Sequence, residues 1–393
     1  MTYFGICMGV NDVLEGIQMF EHRLLFPVNP NLPDNSLKDK LVNTVFGDKH
    51  FTKPFSLNSV LTNCLLYKVI PLINITCEDW YEDFKGNISL TDIAKIAGVI
   101  RDYLKERGFS KCNAFIGVFN EPKARTNMSN KDISDYTNAV HDEVGEDFDV
   151  VYGNDEVNIL DWNYLGQNCR AKVMGVHHLS SLGKWGDPYK HFKNIEDLKT
   201  IANTYGKKIM GTECGSWFVD YCKGGHKVNL DIMEECKKFD YLGCLIVLPD
   251  MNKYSKTIWK LLGYRIWNTD FTKQVGGCED KFNEFMDYIK LNGTAPDMED
   301  DMKLKPVYKN GMKNEIGIKL IQMVLNEDIK PVPLLKVDGW WGDKTDAIVL
   351  DFQEKYNLAQ YGGAIGPNTM QFMIKKYPGI WNNFDYLYRT SLL

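Results

Sequence analysis

Short apolar runs alternate with longer amphipathic stretches over most of the chain. The runs are YFGICM (3–8), VIPLINI (69–75), AFIGVF (114–119), DVVYG (149–153), KVMGVHH (172–178), KKIMGTE (207–213) and LGCLIVL (242–248). Between them, SLTDIAKIAGVIRDYLKERGF (89–109) reads as a helix: Ser89 and Asp92 make a capping-box pattern, Ile93, Ile96, Ala97, Ile100 and Leu104 share one face, and Gly108 supplies a stop. Further helices are expected over 132–144, over 194–206 with Asn194 as cap and Gly206 as stop, and over 230–239. Strands that are apolar throughout are buried on both faces, and a helix after each implies a parallel sheet. Seven or eight such units over roughly 270 residues suit a (β/α)8 barrel of the α/β class better than an open sheet. For the second strand, RLLFPV (23–28) is a candidate.

The pattern changes near residue 292. NGTAPDMEDDMK (292–303) is acidic with Gly and Pro, as in a linker. Beyond it, segments 315–326, 345–357 and 368–377 read as three short helices. G-x-x-G-x-x-T occurs twice, as Gly339, Gly342, Thr345 and as Gly363, Gly366, Thr369, which predicts two tight turns with each Thr or its neighbour capping the next helix. The expected organisation is a barrel over 1–291, a linker over 292–302 and a small helical domain over 303–393. From residue 303 on there are 12 Lys/Arg against 9 Asp/Glu, net +3, which leaves 34 against 43, net −9, for the remainder.

The whole-chain charge of −6 gives no reason to expect nucleic acid as a partner. No run of apolar residues is long enough to span a bilayer. The ten cysteines show no C-x-x-C spacing, so reduced thiols are expected rather than a zinc knuckle. MTYFGICMGVND has no basic segment or cleavage signature, so it reads as the first strand rather than a signal peptide.

In a (β/α) barrel, active sites lie where the strands end. At those ends stand Asn120, Glu121 and Pro122; Tyr152 and Asn154; His177 and His178; Glu213, with Trp217 beyond; and Asp250. Pro122 has no N–H and ends its strand cleanly. Two carboxylates on one rim suit a retaining glycosidase, which needs an acid for the leaving oxygen and a nucleophile for the anomeric carbon, about 5–5.5 Å apart. They could instead be ordinary loop acids. The two histidines with Glu213 and Cys214 could also hold a metal, although adjacent residues on a strand face opposite ways. Tyr152, Trp185 and Trp217 offer aromatic faces for sugar stacking, or simply pack loops.

Asn-Glu-Pro ending the fourth strand, and a Glu ending the seventh, resemble the clan A glycoside hydrolases over about residues 1–290. The resemblance implies retaining hydrolysis with Glu121 as general acid/base and Glu213 as nucleophile. It also implies that Asn120 bonds the sugar hydroxyl beside the anomeric carbon and that His177 stands near the nucleophile. The chain departs from that family in having Leu248-Pro249-Asp250 where a Trp is usual and no clear histidine after the third strand; Arg23 is the candidate for the second-strand arginine.

GIKLIQMVLN, VDGWWGDKTDAIVLDFQEKYNL and GGAIGPNT resemble a three-helix peptidoglycan-binding domain, with Trp340 and Trp341 as candidate wall-binding residues, one of them expected in the core. Together the two halves resemble a bacteriophage endolysin. The resemblance implies cleavage of a β-1,4 bond of bacterial peptidoglycan by a monomer without cofactor or metal, held in the host cytoplasm until release. Another β-glycan, or a non-catalytic wall-binding or virion protein, is the alternative.

Overall fold

The structure, a computed structural model, describes residues 2–7, 17–24, 33–43, 57–75, 89–111, 113–123, 128–156, 158–180, 195–216, 225–247, 279–296, 310–311, 316–358, 363–377 and 380. Eight strands form a closed barrel in chain order. They are β1 (Tyr3–Cys7), β2 (Met19–Leu24), β3 (Ile70–Ile75), β4 (Phe115–Val118), β5 (Asp149–Glu156), β6 (Val173–Ser180), β7 (Lys208–Ser216) and β8 (Gly243–Val247). All neighbours are parallel, and β1 closes the ring by pairing with β2 and β8, Gly5 opposite Met19 and Tyr3 opposite Gly243. Helices follow the strands: α1 (Asp34–Asn43) and α2 (Leu57–Tyr67) after β2, then α3 (Leu90–Glu106), α4 (Asn130–Val144), α5 (Ile159–Asn168), α6 (Ile195–Thr204), α7 (Gly225–Lys238) and α8 (Glu279–Asn292).

Alternation along each strand sorts side chains into two cores. Tyr3, Met19, Ile70, Leu72, Phe115, Val151, Val173, Met210 and Leu245 fill the barrel interior. Their neighbours in sequence, such as Phe20, Ile73, Ile116, Val150, Met174 and Ile209, pack outward against the helices. The expected face of α3 is buried, and Ser89 and Asp92 make the capping box. A second capping box, Ser129 with Asp132, starts α4 earlier than the hydrophobic pattern suggests.

The second strand is Met19–Leu24, which begins before the 23–28 candidate and shares Arg23 and Leu24 with it; residues 25–28 lie outside the described residues. Its sequence, MFEHRL, carries three polar residues in a row, so apolar content alone pointed to the following run.

Helices α9 (Ile316–Asp328), α10 (Asp343–Lys355) and α11 (Pro367–Lys376) enclose a separate core that includes Ile318, Ile321, Leu325, Trp341, Phe352 and Met373. The repeated turns need left-handed backbone at Gly339 (φ 74°) and Gly363 (φ 82°), which glycine supplies without strain. The caps differ from expectation: Gly342 and Gly366 occupy the N-cap positions with no side-chain cap bond. Thr345 and Thr369 are buried instead, and the Thr369 hydroxyl accepts from Gln353 Nε2 at 3.3 Å.

Candidate active site

The β4 strand stops at Val118, and three residues with positive φ stand at the barrel mouth: Phe119 (63°), Glu121 (47°) and Asn154 (42°). Left-handed backbone costs a residue bearing a Cβ about 1–2 kcal/mol, so three together need support. The Phe119 N–H donates to Ile75 O at 2.7 Å, and the Glu121 N–H donates to Asn154 O at 2.8 Å. The outcome is a sharp turn that delivers Asn120 and Glu121 at the strand end.

A one-residue bulge brings in Glu213. Val176 pairs with Gly211, but His177 pairs with Glu213, so β7 carries an extra residue. Met210 faces inward. Strict alternation would turn Thr212 inward and Glu213 outward, and the extra residue reverses this. Cys214 consequently packs on the outer side. On β6, Val173 is interior and His177 shares its parity.

The bulge and the turn converge on one cluster. His177 Nδ1 lies 3.6 Å from Glu121 Oε1 and 3.5 Å from Glu213 Oε2. Carboxylate oxygens of Glu121 and Glu213 approach within 4.8 Å. His177 is fully buried, the Glu213 side chain is 2% exposed and that of Glu121 19% exposed. So one carboxylate is deep and the other partly open. The separation lies on the retaining side, well short of the roughly 6.5–9.5 Å an inverting pair needs to admit a water. The same three groups could ligate a divalent ion, as could the buried thiols of Cys214, Cys236 and Cys244.

The chain is similar in fold to solved glycosidases. No protein-family profile matches the sequence, and no curated protein matches it. Structural similarity is extensive. The endo-β-1,4-glucanase Xac0029 from Xanthomonas axonopodis pv. citri superimposes with a TM-score of 0.53 at 6% identity, over 75% of this chain and 100% of that one. A GH5-4 broad specificity endoglucanase from Clostridium longisporum gives 0.51 at 10% identity, over 71% of this chain and 83% of that one. At these identities the likeness establishes a shared (β/α)8 fold.

The expected site residues divide into three groups. Asn120, Glu121, His177 and Glu213 stand at the ends of β4, β6 and β7, with Asn120 fully buried. His178 points the other way, its Nε2 2.8 Å from the Tyr241 hydroxyl in the helix layer. Tyr152, expected to stack on sugar, does not reach the mouth. Val151 takes the interior position, so Tyr152 faces outward, fully buried beside Trp162 with ring centroids 6.3 Å apart. Trp341, a candidate wall-binding residue, is the buried core member of its pair and donates its indole N–H to Asp346, whereas Trp340 is 55% exposed. Trp185, Trp217 and Asp250 lie outside the described residues.

Two polar residues were missed. Glu21 and Asn74 are both buried and share inward parity with Met19 and Leu72; Asn74 Nδ2 donates to Glu21 Oε1 at 2.9 Å. The carboxylate in MFEHRL was the available signal.

Proposed function

We propose that the chain is a retaining glycoside hydrolase of β-1,4-linked glycans, with Glu121 as general acid/base and Glu213 as nucleophile. The observation that carries the proposal is the pair of carboxylates within 4.8 Å of each other, bracketing His177 at the barrel mouth. In the first step the Glu121 carboxylic acid gives its proton to the glycosidic oxygen while a Glu213 oxygen bonds to the anomeric carbon. The C–O bond to the leaving sugar breaks, and a glycosyl ester remains on Glu213. In the second step the Glu121 carboxylate takes a proton from water, the water oxygen bonds to the anomeric carbon, and Glu213 leaves. Two inversions restore the β configuration. His177 Nδ1 stands between the two carboxylates, 3.6 Å from Glu121 Oε1 and 3.5 Å from Glu213 Oε2. The more open Glu121 suits the group that must meet both leaving alcohol and water.

The names of the structural neighbours support a glucan or similar polysaccharide as substrate. A second reading, peptidoglycan, is supported by the three-helix unit and its exposed Trp340. Incubation with soluble β-1,4-glucan, β-1,4-mannan and purified peptidoglycan, followed by mass spectrometry of released fragments, tests both. Oligosaccharide ladders from the glucan or mannan are expected. Fragments from peptidoglycan alone would move the assignment to the second reading, and no fragments from any would overturn the glycosidase reading.

A further inference from the structure

Asn154 is the extra residue of a bulge in β5. Gly153 pairs with Gly175 of β6, but Asp155 pairs with Val176, so Asn154 opposes nothing on β6. Its left-handed backbone turns the peptide toward β4, where its carbonyl accepts from the Glu121 N–H at 2.8 Å. Its side chain reaches the same turn: Nδ2 donates to Phe119 O at 2.8 Å and toward Val118 O at 3.4 Å. One buried residue thus grips the β4 turn on both sides of Asn120, from its backbone and from its amide. Space for that amide comes from β6, because a Cβ on Gly175 would lie 2.0 Å from Asn154 Oδ1.

We propose that Asn154 is a positioning residue for Glu121, with Gly175 providing its seat. The inference rests on the glycosidase reading. Asn154 holds the turn that aims the acid/base, and Gly175 leaves room for the amide that does so. A side-chain grip of this kind is needed where two left-handed residues, Phe119 and Glu121, flank a buried Asn120.

The test is Asn154→Gly. Glycine adopts the left-handed backbone freely, so the variant keeps the bulge and loses only the amide. A folded protein with a modestly lowered melting temperature is expected, because the buried Phe119 carbonyl loses its donor. On an oligosaccharide, kcat falls about 10–100-fold with KM little changed, as expected for misplacement of a catalytic group. On an activated aryl glycoside, whose departure needs little protonation, the first step changes by less than about 3-fold. Gly175→Ala, which displaces the amide, should show the same substrate dependence, and the double variant should lose no more than either single one. Equal losses on both substrates, or no loss, in a folded Asn154→Gly protein with an active wild type would overturn the positioning role alone. A wild type inactive on every glycan and aryl glycoside would overturn the glycosidase reading, and this role with it.

Discussion

Replacing Glu121 by alanine separates the two chemical steps. The backbone at this position is left-handed, φ 47°, and alanine carries the same steric cost there as glutamate, so the substitution adds no strain. The hydrogen bond from the residue 121 N–H to Asn154 O is a backbone bond and survives. The lost carboxylate is at the partly open end of the cluster, so no large sealed cavity forms. The rate change is therefore chemical. General acid assistance typically contributes 10²–10⁴-fold, about 2.7–5.4 kcal/mol at 1.36 kcal/mol per tenfold. That whole factor should disappear on an oligosaccharide, whose leaving alkoxide is poor. With an activated aryl glycoside the first step is nearly spared, and the second step becomes limiting because no base activates water. Azide needs no base, so it should restore turnover and yield a β-glycosyl azide. The assay is kcat/KM on both substrates, with and without azide, and NMR of the azide product. Equal losses on the two substrates, or an α-azide, would refute the role given to Glu121.

Two further predictions concern the scaffold. Gly153 has φ 89°, and a Cβ there would meet the Trp162 ring at 2.2 Å, so Gly153→Ala should lower the unfolding free energy by about 2–5 kcal/mol, combining left-handed strain with overpacking; an unchanged urea midpoint would contradict this wedge. The Asp328 side chain, 1% exposed, accepts from Lys355 Nζ and the Tyr356 hydroxyl, each at 2.8 Å, and from Tyr377. Burial pushes its carboxyl up, but the hydrogen bonds from Lys355, Tyr377 and Tyr356 outweigh it and hold the group below its ordinary value. Its stabilisation of the helical unit is accordingly present above the unfolded value near 3.9 and is lost as pH falls through the lower folded value. Asp328→Ala should cost about 1.5–3 kcal/mol, as for lost hydrogen bonds to a charged group, and flatten that acid dependence in melts followed by tryptophan fluorescence.

The barrel was legible because its strands are apolar on both faces and its helices carry caps and stripes, as in VIPLINI and in the Ser89–Asp92 helix. The site was legible only as residue types at strand ends. What failed depends on parity. Tyr152 is one step from Val151, and alternation sends it outward, which no composition reveals. Glu213 faces the mouth only because β7 holds an extra residue, and KIMGTECGS carries no mark of a bulge. The Asn154 grip joins residues 35 positions apart in sequence, so it appears only once β4 and β5 are paired. Trp340 and Trp341 are adjacent and identical, and packing alone separates the exposed one from the core.

The stereochemistry of the first product tests the carboxylate pair most directly. Wild-type protein acting on a soluble β-1,4-glycan should be followed by ¹H NMR from the first minutes, before mutarotation mixes the anomers. Carboxylate oxygens within 4.8 Å are closer than the roughly 6.5–9.5 Å of an inverting pair, so attack by Glu213 and then by water should release the β-anomer first. Initial release of the α-anomer would mean a single inversion, and it would contradict the assignment of Glu121 and Glu213 as a retaining pair.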